Sequence, residues 1–453
     1  MNNPPEYIGE LARFACSARL QDLGGRALER TRWVIADSLP VIAAGMQQPE
    51  MQAFAQKQLA NTGGGIAWVL GTRRRAGVCD AALLNGTAGT WLELDEGNLY
   101  AKGHPGIQVV PAAVALAHEI GASGEALLLA VALGYEISSR ISRAARMKLS
   151  VHPHGTWGVI GAAVAVGRLK GFDAAKMAVL LNVAATMGMA TSRQTLLDGA
   201  TVRNIFTGHS GLMGLMAARL VECGFTGEVD GPAAVYGKVL ADGFVPAEAT
   251  ANLGREWMVA EGYFKLHPTG RYVHSAIDAL EDLLTRVPGG RLDPARIARI
   301  EVRTYKLAAM LAELQVTSSF GARFSVPFAL ATLIFHGGSS LAAFEQGAVD
   351  NAAIQSLAAR VDLQEDSNHT ARYPQEQVCD LKVTLANGAA FEGRCLIMRG
   401  ESANPHRPEE LEAKFMQLGA PVWGEDTARQ LLAGCMQLET LRDFGAFADS
   451  LDL

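Results

Sequence analysis

The feature that most constrains this chain is a series of long segments in which alanine, leucine, valine and glycine occupy every side of a helical period rather than one stripe. Segments 110–120, 124–141, 159–169, 174–189 and 211–223 are of this kind. A helix that is apolar all round has no flank to offer water, so these segments belong at the centre of a bundle. Small residues within them, such as Ala162, Ala163, Ala165, Ala184 and Ala185, permit close helix approach. Ser123 and Asp173 are predicted N-caps. The covering helices are amphipathic: Ile8, Leu11, Phe14 and Ala15, then Leu28, Trp33, Val34, Ala36 and Leu39, predict two helices within 5–47, broken at Leu23-Gly24-Gly25. Segments 51–59 and 76–92 read as helices, and Arg73, Arg74 and Arg75 between them as a solvated turn.

The pattern changes after about Gly262. Residues 297–305 alternate as a half-buried strand does. Segments 378–385 and 390–398 flank Ala386-Asn387-Gly388, where Asn-Gly predicts a type I′ hairpin turn. Residues 268–284 and 325–335 read as helices within this block. Pro408-Glu409-Glu410 then opens a helical tail, expected to pack back on the bundle. The predicted fold class is mainly α with an α+β second domain. An all-helical bundle is formed by both chain ends, 1–262 and 407–453, and 263–406 make the smaller α+β domain. A length of 453 residues fits two or three cores.

A net charge of −6 offers no attraction for nucleic acid or an anionic membrane, so an anionic ligand would need a locally basic pocket. The longest uncharged runs, such as 149–167, contain His152, Pro153, His154 and Thr156, which argues against a membrane span. Six scattered cysteines without CxxC spacing point to reduced thiols in a cytoplasmic chain, and residues 1–8 lack the pattern of a secretory leader. There is no GxxxxGK[ST], GxSxG or HExxH.

Four polar islands interrupt the apolar helices. The first, 91–111, carries Glu93, Asp95, Glu96, Lys102 and His104-Pro105-Gly106; the others are 150–158, 201–210 and 263–274. Their histidines, cations and carboxylates are the inventory needed to bind a small polyanion and move one of its protons. Lys265, Arg271 and Arg203 are the expected carboxylate clamps, and His104 or His152 the proton carriers. His152 and His154 stand two positions apart, without the i, i+4 spacing of helical metal ligands, and no metal is assigned to them.

At these islands the sequence resembles the MmgE/PrpD family, which includes 2-methylcitrate dehydratase, cis-aconitate decarboxylase and iminodisuccinate epimerase. The resemblance rests on Leu92-Glu-Leu-Asp-Glu96 followed by Gly103-His-Pro-Gly106, and on His152-Pro-His-Gly-Thr-Trp-Gly158. Gly208-His-Ser-Gly-Leu-Met-Gly214, Phe264-Lys-Leu-His-Pro268, Arg271-Tyr-Val-His274 and Ala322-Arg-Phe-Ser-Val-Pro327 complete it. It implies a helical domain from both chain ends, an α+β lid, a homodimer, and a cofactor-free site in the cleft between the domains. The family's site residues carry over to Glu93, Asp95, His104, His152 and Lys265, and further to Arg203 and Phe328. Lys102, Thr156, Arg271 and His274 are added as substrate-binding candidates from the same islands.

This chain departs from the family pattern in three places. Gly97 lacks the hydroxyl of a threonine, Arg203 replaces a lysine and cannot shuttle a proton, and Phe328 replaces a tyrosine. We therefore expect a lyase of dehydratase type acting on a hydroxylated di- or tricarboxylate. Epimerisation of a dicarboxylate stands second and decarboxylation last. Outside enzymes, the alternative is a relative that binds carboxylates without turnover.

Overall fold

The computed structural model describes residues 4–451. It is mainly helical with small sheets, as the periodicity requires. The apolar segments form helices Pro105–Glu119, Gly124–Ala144, Gly158–Leu169, Ala174–Ala185 and Ile205–Glu222. They pack on one another and on Val78–Gly89, and Pro105 to His118 is buried without interruption. Ser123 accepts a hydrogen bond from the Ala126 N–H and Asp173 one from the Lys176 N–H, so both predicted caps form. Helix Gly24–Met46 runs across this centre, and the tail helix Pro408–Trp423, with proline in its first turn, packs against it. Among the described residues, no helix is long and apolar enough to cross a membrane.

The second region is built on a four-stranded sheet. Ile297–Thr304 lies between Val361–Glu365, to which it is parallel, and Cys379–Leu385, to which it is antiparallel; Ala390–Cys395 forms the edge. Helix His274–Leu284 packs on the hairpin. Buried apolar side chains divide accordingly: one large cluster draws on residues before Lys265 and after His406, and a second draws mainly on 273–398.

Several local expectations shift. In the hairpin turn only Gly388 has positive φ, 85°, and its N–H bonds back to Leu385. This is a type I turn closed by a glycine bulge rather than type I′, which would need Asn387 left-handed as well. The first two helices part at Ala18-Arg19, and Gly24 opens the second helix instead of breaking it. Arg74–Ala76 pairs with Ala67–Val69 as a short ladder, with Arg75 turned to Asp449. Segment 268–284 is helical only from Arg271, and the helix expected over 174–189 stops at Ala185. Gly270, just before the late start at Arg271, lines a cavity, and beyond the stop at Ala185 the wall residues are Arg193, Leu196 and Leu197.

Candidate active site

The acidic stretch is folded into a tight loop by its own backbone. Gly97 and Tyr263 exchange N–H···O bonds of 3.1 and 2.7 Å, and Asn98 and Gly103 close a turn with bonds of 2.8 and 3.2 Å. The Asn98 side chain donates to the Met258 carbonyl and accepts from the Ala101 N–H. Glu93 and Lys102 take left-handed φ angles of 54° and 56°. Such strain in non-glycine residues persists only where surrounding structure over-determines it, and both residues face one cavity. His104 is the N-cap of helix Pro105–Glu119, whose first-turn proline suits that position.

The loop 152–158 is held to this helix by a single side chain. Gln108 Oε1 accepts from the Gly155 N–H at 3.0 Å and from the Ser210 hydroxyl at 2.9 Å, and its amide donates to the His104 carbonyl. Thr191 ties down the same loop through the His152 and His154 carbonyls. The result is a cleft of about 790 Å³, solvent-open mouth included, walled by Glu93, His104, His152, His154, Arg203 and Tyr263 among others. Leu196, Leu197, Leu307, Met310, Leu311 and Phe324 give it an apolar side.

Inside, the charges are internally matched. Glu93 contacts Arg203 at 2.5 Å and Lys265 at 3.4 Å; Asp95 contacts Lys265 at 3.2 Å and His104 Nδ1 at 2.7 Å. Burial would raise the Asp95 pKa, but its interactions with His104, Lys265 and Arg203 outweigh it and hold this carboxyl well below its ordinary range. With Nδ1 facing an anion, His104 presents Nε2 outward, 3.5 Å from the Tyr263 hydroxyl. Burial keeps the Tyr263 phenol protonated, its pKa well above the usual value. Arg271 lies 4.3 Å over the Tyr263 ring and is paired with Glu401 at 2.6 Å.

Of the sequence-predicted residues, Glu93, Lys102, His104, His152, Arg203 and Arg271 line the cleft. Asp95 and Lys265 stand behind them, 1% and 0% exposed. Two carboxylates contact Lys265, and Glu93 and Glu401 pair with Arg203 and Arg271, so the three expected clamps carry charge that is already partly neutralised. Thr156 bonds to the Pro153 carbonyl and His274 sits behind Arg271; neither lines the cleft. Phe328 is wholly buried in the second core, 6.3 Å from the Phe344 ring, and does not line the cleft.

His152 differs from expectation as well. Its Nδ1 accepts the His154 N–H at 3.1 Å while Nε2 faces Arg203 Nε at 3.3 Å. A bond accepted at Nδ1 leaves the ring proton on Nε2, beside the Arg203 guanidinium, and burial followed by the Arg203 charge pushes its pKa well below 6.5; His154 is depressed for the same reasons. Neither is a proton donor at neutral pH. Asp95, His104 and His154 bring ligand atoms within 4.8 Å of one another, a set whose types suit a divalent cation. Lys265 and Arg203 already neutralise the adjoining carboxylates, so an added cation would meet little net attraction there.

Tyr263 and Arg193 are among the polar wall residues that sequence reasoning passed over, with Asn98, Tyr272 and Tyr373. An added Cβ at Gly97 would fall 2.3 Å from Tyr263 Oη, so the phenol occupies the space that a threonine at this position would need. The glycine that looked like a lost hydroxyl admits another one. Pairing of Tyr263 with Gly97 joins positions distant in the chain and leaves no local signal; Arg193 lies past the predicted helix 174–189 and outside the four polar islands.

Residues 9–241 match the family model described as the MmgE/PrpD N-terminal domain, and residues 267–438 match the MmgE/PrpD C-terminal domain. Cis-aconitate decarboxylase of Homo sapiens is 25% identical over 385 residues, covering 80% of this chain and 77% of that protein. Cis-aconitate decarboxylase of Aspergillus terreus is 22% identical over 473 residues, covering 98% of this chain and 95% of the relative. The cis-aconitate decarboxylase-like protein oryM of Aspergillus oryzae is 23% identical over 464 residues, covering 96% and 95%. With both of its domain models matched in order along most of the sequence, the chain belongs to the MmgE/PrpD family.

Proposed function

We propose that this protein is a lyase that acts on a small di- or tricarboxylate by removing a proton beside a carboxylate, with acid and base supplied by His104 and Tyr263. The observation that carries this reading is the line Asp95, His104 Nε2, Tyr263 hydroxyl on one wall, facing an otherwise charge-matched cleft. His104 takes the proton and Asp95 stabilises the imidazolium. The C–H electron pair forms the double bond, and the hydroxyl leaves with the Tyr263 proton. The tyrosinate regains a proton from His104, so both groups return to their starting states and water is the second product.

One-sided placement of acid and base favours elimination over epimerisation, which needs proton return on the opposite face. His152 and His154, held neutral, make poor partners for that return. The apolar side of the cleft favours a substrate with a hydrocarbon substituent, as in a 2-methylcitrate-type acid. Decarboxylation is the second reading: the curated relatives carry that name, and Tyr263 removes the objection that a wall hydroxyl is missing. Six unpaired cysteines favour a reducing, cytoplasmic setting.

Incubation with 2-methylcitrate, citrate and cis-aconitate in deuterated water separates these outcomes. An alkene without gas release supports dehydration, and CO₂ release supports decarboxylation. Deuterium in recovered substrate without either would support epimerisation, and binding without change a non-catalytic role. Replacing His104 by Ala should lower turnover on the order of 100-fold; wild-type turnover would remove His104 from the mechanism.

A further inference from the structure

The charge matching inside the cleft leaves a question of where a polyanionic ligand finds uncompensated positive charge. Among the described residues, Arg203, Lys265 and Arg271 each contact Glu93, Asp95 or Glu401. Two cations on the cleft wall have no carboxylate partner: Lys102 and Arg193. The Lys102 ammonium meets only backbone carbonyls, those of Ala145 at 2.8 Å and Ser142 at 3.4 Å. Arg193 donates through Nε to the Leu149 carbonyl at 2.6 Å, with no acceptor held by its terminal nitrogens.

Lys102 and Arg193 also line a second hollow that opens off the cleft at Pro153, Tyr272 and Tyr373. Its wall adds Lys148, bonded to the Val239 carbonyl, and Arg143, beside Glu248 at 3.6 Å; no carboxylate lines it. A hollow walled by Lys102, Lys148 and Arg193, none of them paired with a carboxylate, concentrates counter-ions and steers them inward. The left-handed backbone at Lys102 fixes the lysine at the junction of the two spaces.

We propose that Lys102 and Arg193 form an anion subsite at the cleft mouth that binds a carboxylate remote from the reacting carbon, making the protein selective for tricarboxylates over dicarboxylates. This inference rests on the carboxylate reading of the cleft and names its specificity. Arg193 supplies a planar two-nitrogen donor to that carboxylate, and Lys102 a point charge.

Tricarballylate and glutarate share a five-carbon chain and differ by one carboxylate, so calorimetric titration of the full-length protein with each isolates the subsite. Wild type is expected to bind tricarballylate about tenfold more tightly than glutarate. Arg193→Gln and Lys102→Gln should each bring tricarballylate close to glutarate affinity while glutarate binding changes by less than about twofold. Arg193→Lys should recover part of the preference. Should Arg193→Gln unfold through loss of its bond to Leu149, Lys102→Gln carries the same test. Undiminished preference in the folded glutamine variants, or equal weakening of both probes, overturns the subsite alone. Failure of wild type to bind either probe overturns the carboxylate reading and the subsite with it.

Discussion

At the scale of single residues, the wall chemistry depends on which side chain holds which proton. His104 has an anion on one nitrogen and a phenol near the other, whereas His152 accepts a backbone N–H on one and faces the Arg203 guanidinium with the other, so two histidines of similar sequence context have different capacities. Tyr263→Phe keeps the ring under Arg271 and deletes the hydroxyl. We expect turnover to fall on the order of 10- to 100-fold with an unchanged melting temperature, measured on the same preparation. Gly97→Ala should do more: with Oη 2.3 Å from the new Cβ, the tyrosine must swing away from His104. A Gly97→Ala enzyme with full activity would show that the phenol takes no part. Sequence reading reached His104 through its His-Pro-Gly context, and misjudged Gly97 because the compensating group lies on another segment.

At the scale of elements, the site is precise because two helices and a loop share one amide. Gln108 ties helix Pro105–Glu119 to the 152–158 loop and to helix Ile205–Glu222, fully buried among them. Gln108→Leu keeps the volume and leaves the Gly155 N–H and the Ser210 hydroxyl without an acceptor from this side chain. An expected cost of about 2–4 kcal/mol follows, read from denaturant unfolding, together with loss of turnover as His152 and His154 drift. A stability change under about 0.5 kcal/mol would show that Gln108 is incidental. Helix existence and caps were legible locally, since Ser123 and Asp173 act on N–H groups three residues away. Helix ends near the site were not: the early stop at Ala185 and the late start at Arg271 are decided by what the released chain then packs against.

At the scale of the whole molecule, buried ionisable groups give stability a two-sided dependence on pH. Glu96, between the Gly106 N–H and the Tyr135 hydroxyl, has its pKa raised by burial to about 8 from 4.5. The folded state therefore holds a proton that the unfolded state releases. Its contribution is complete below about pH 4.5 and is lost as pH rises through about 8. His152, His154 and His274 act in the opposite sense: burial depresses their pKa values below 6.5, so unfolded chains gain protons first and stability falls as pH drops below 6.5. Melting temperature across pH 5 to 9 should thus pass through a maximum. Glu96→Gln, neutral at all pH values and similar in shape, should flatten the alkaline fall and leave the acid one; an unaltered alkaline limb would rule Glu96 out as its source.

The amino-acid sequence by itself determined the layered helical centre, the change to an α+β region after about Gly262, and the polar islands that break the apolar helices. Each is written in a window of about a dozen residues, because helical and strand periods repeat within it and caps act within one turn. Tertiary structure alone decided which of those charges remain free. Lys265 meets Asp95 across 170 positions and Glu93 across 172, and those two contacts make an expected clamp a counter-charge to two buried carboxylates. The same long-range packing buries Phe328 in the second core and leaves Arg193 on the cleft wall. Charge is a local property of sequence, whereas its compensation depends on distances that only the folded chain defines.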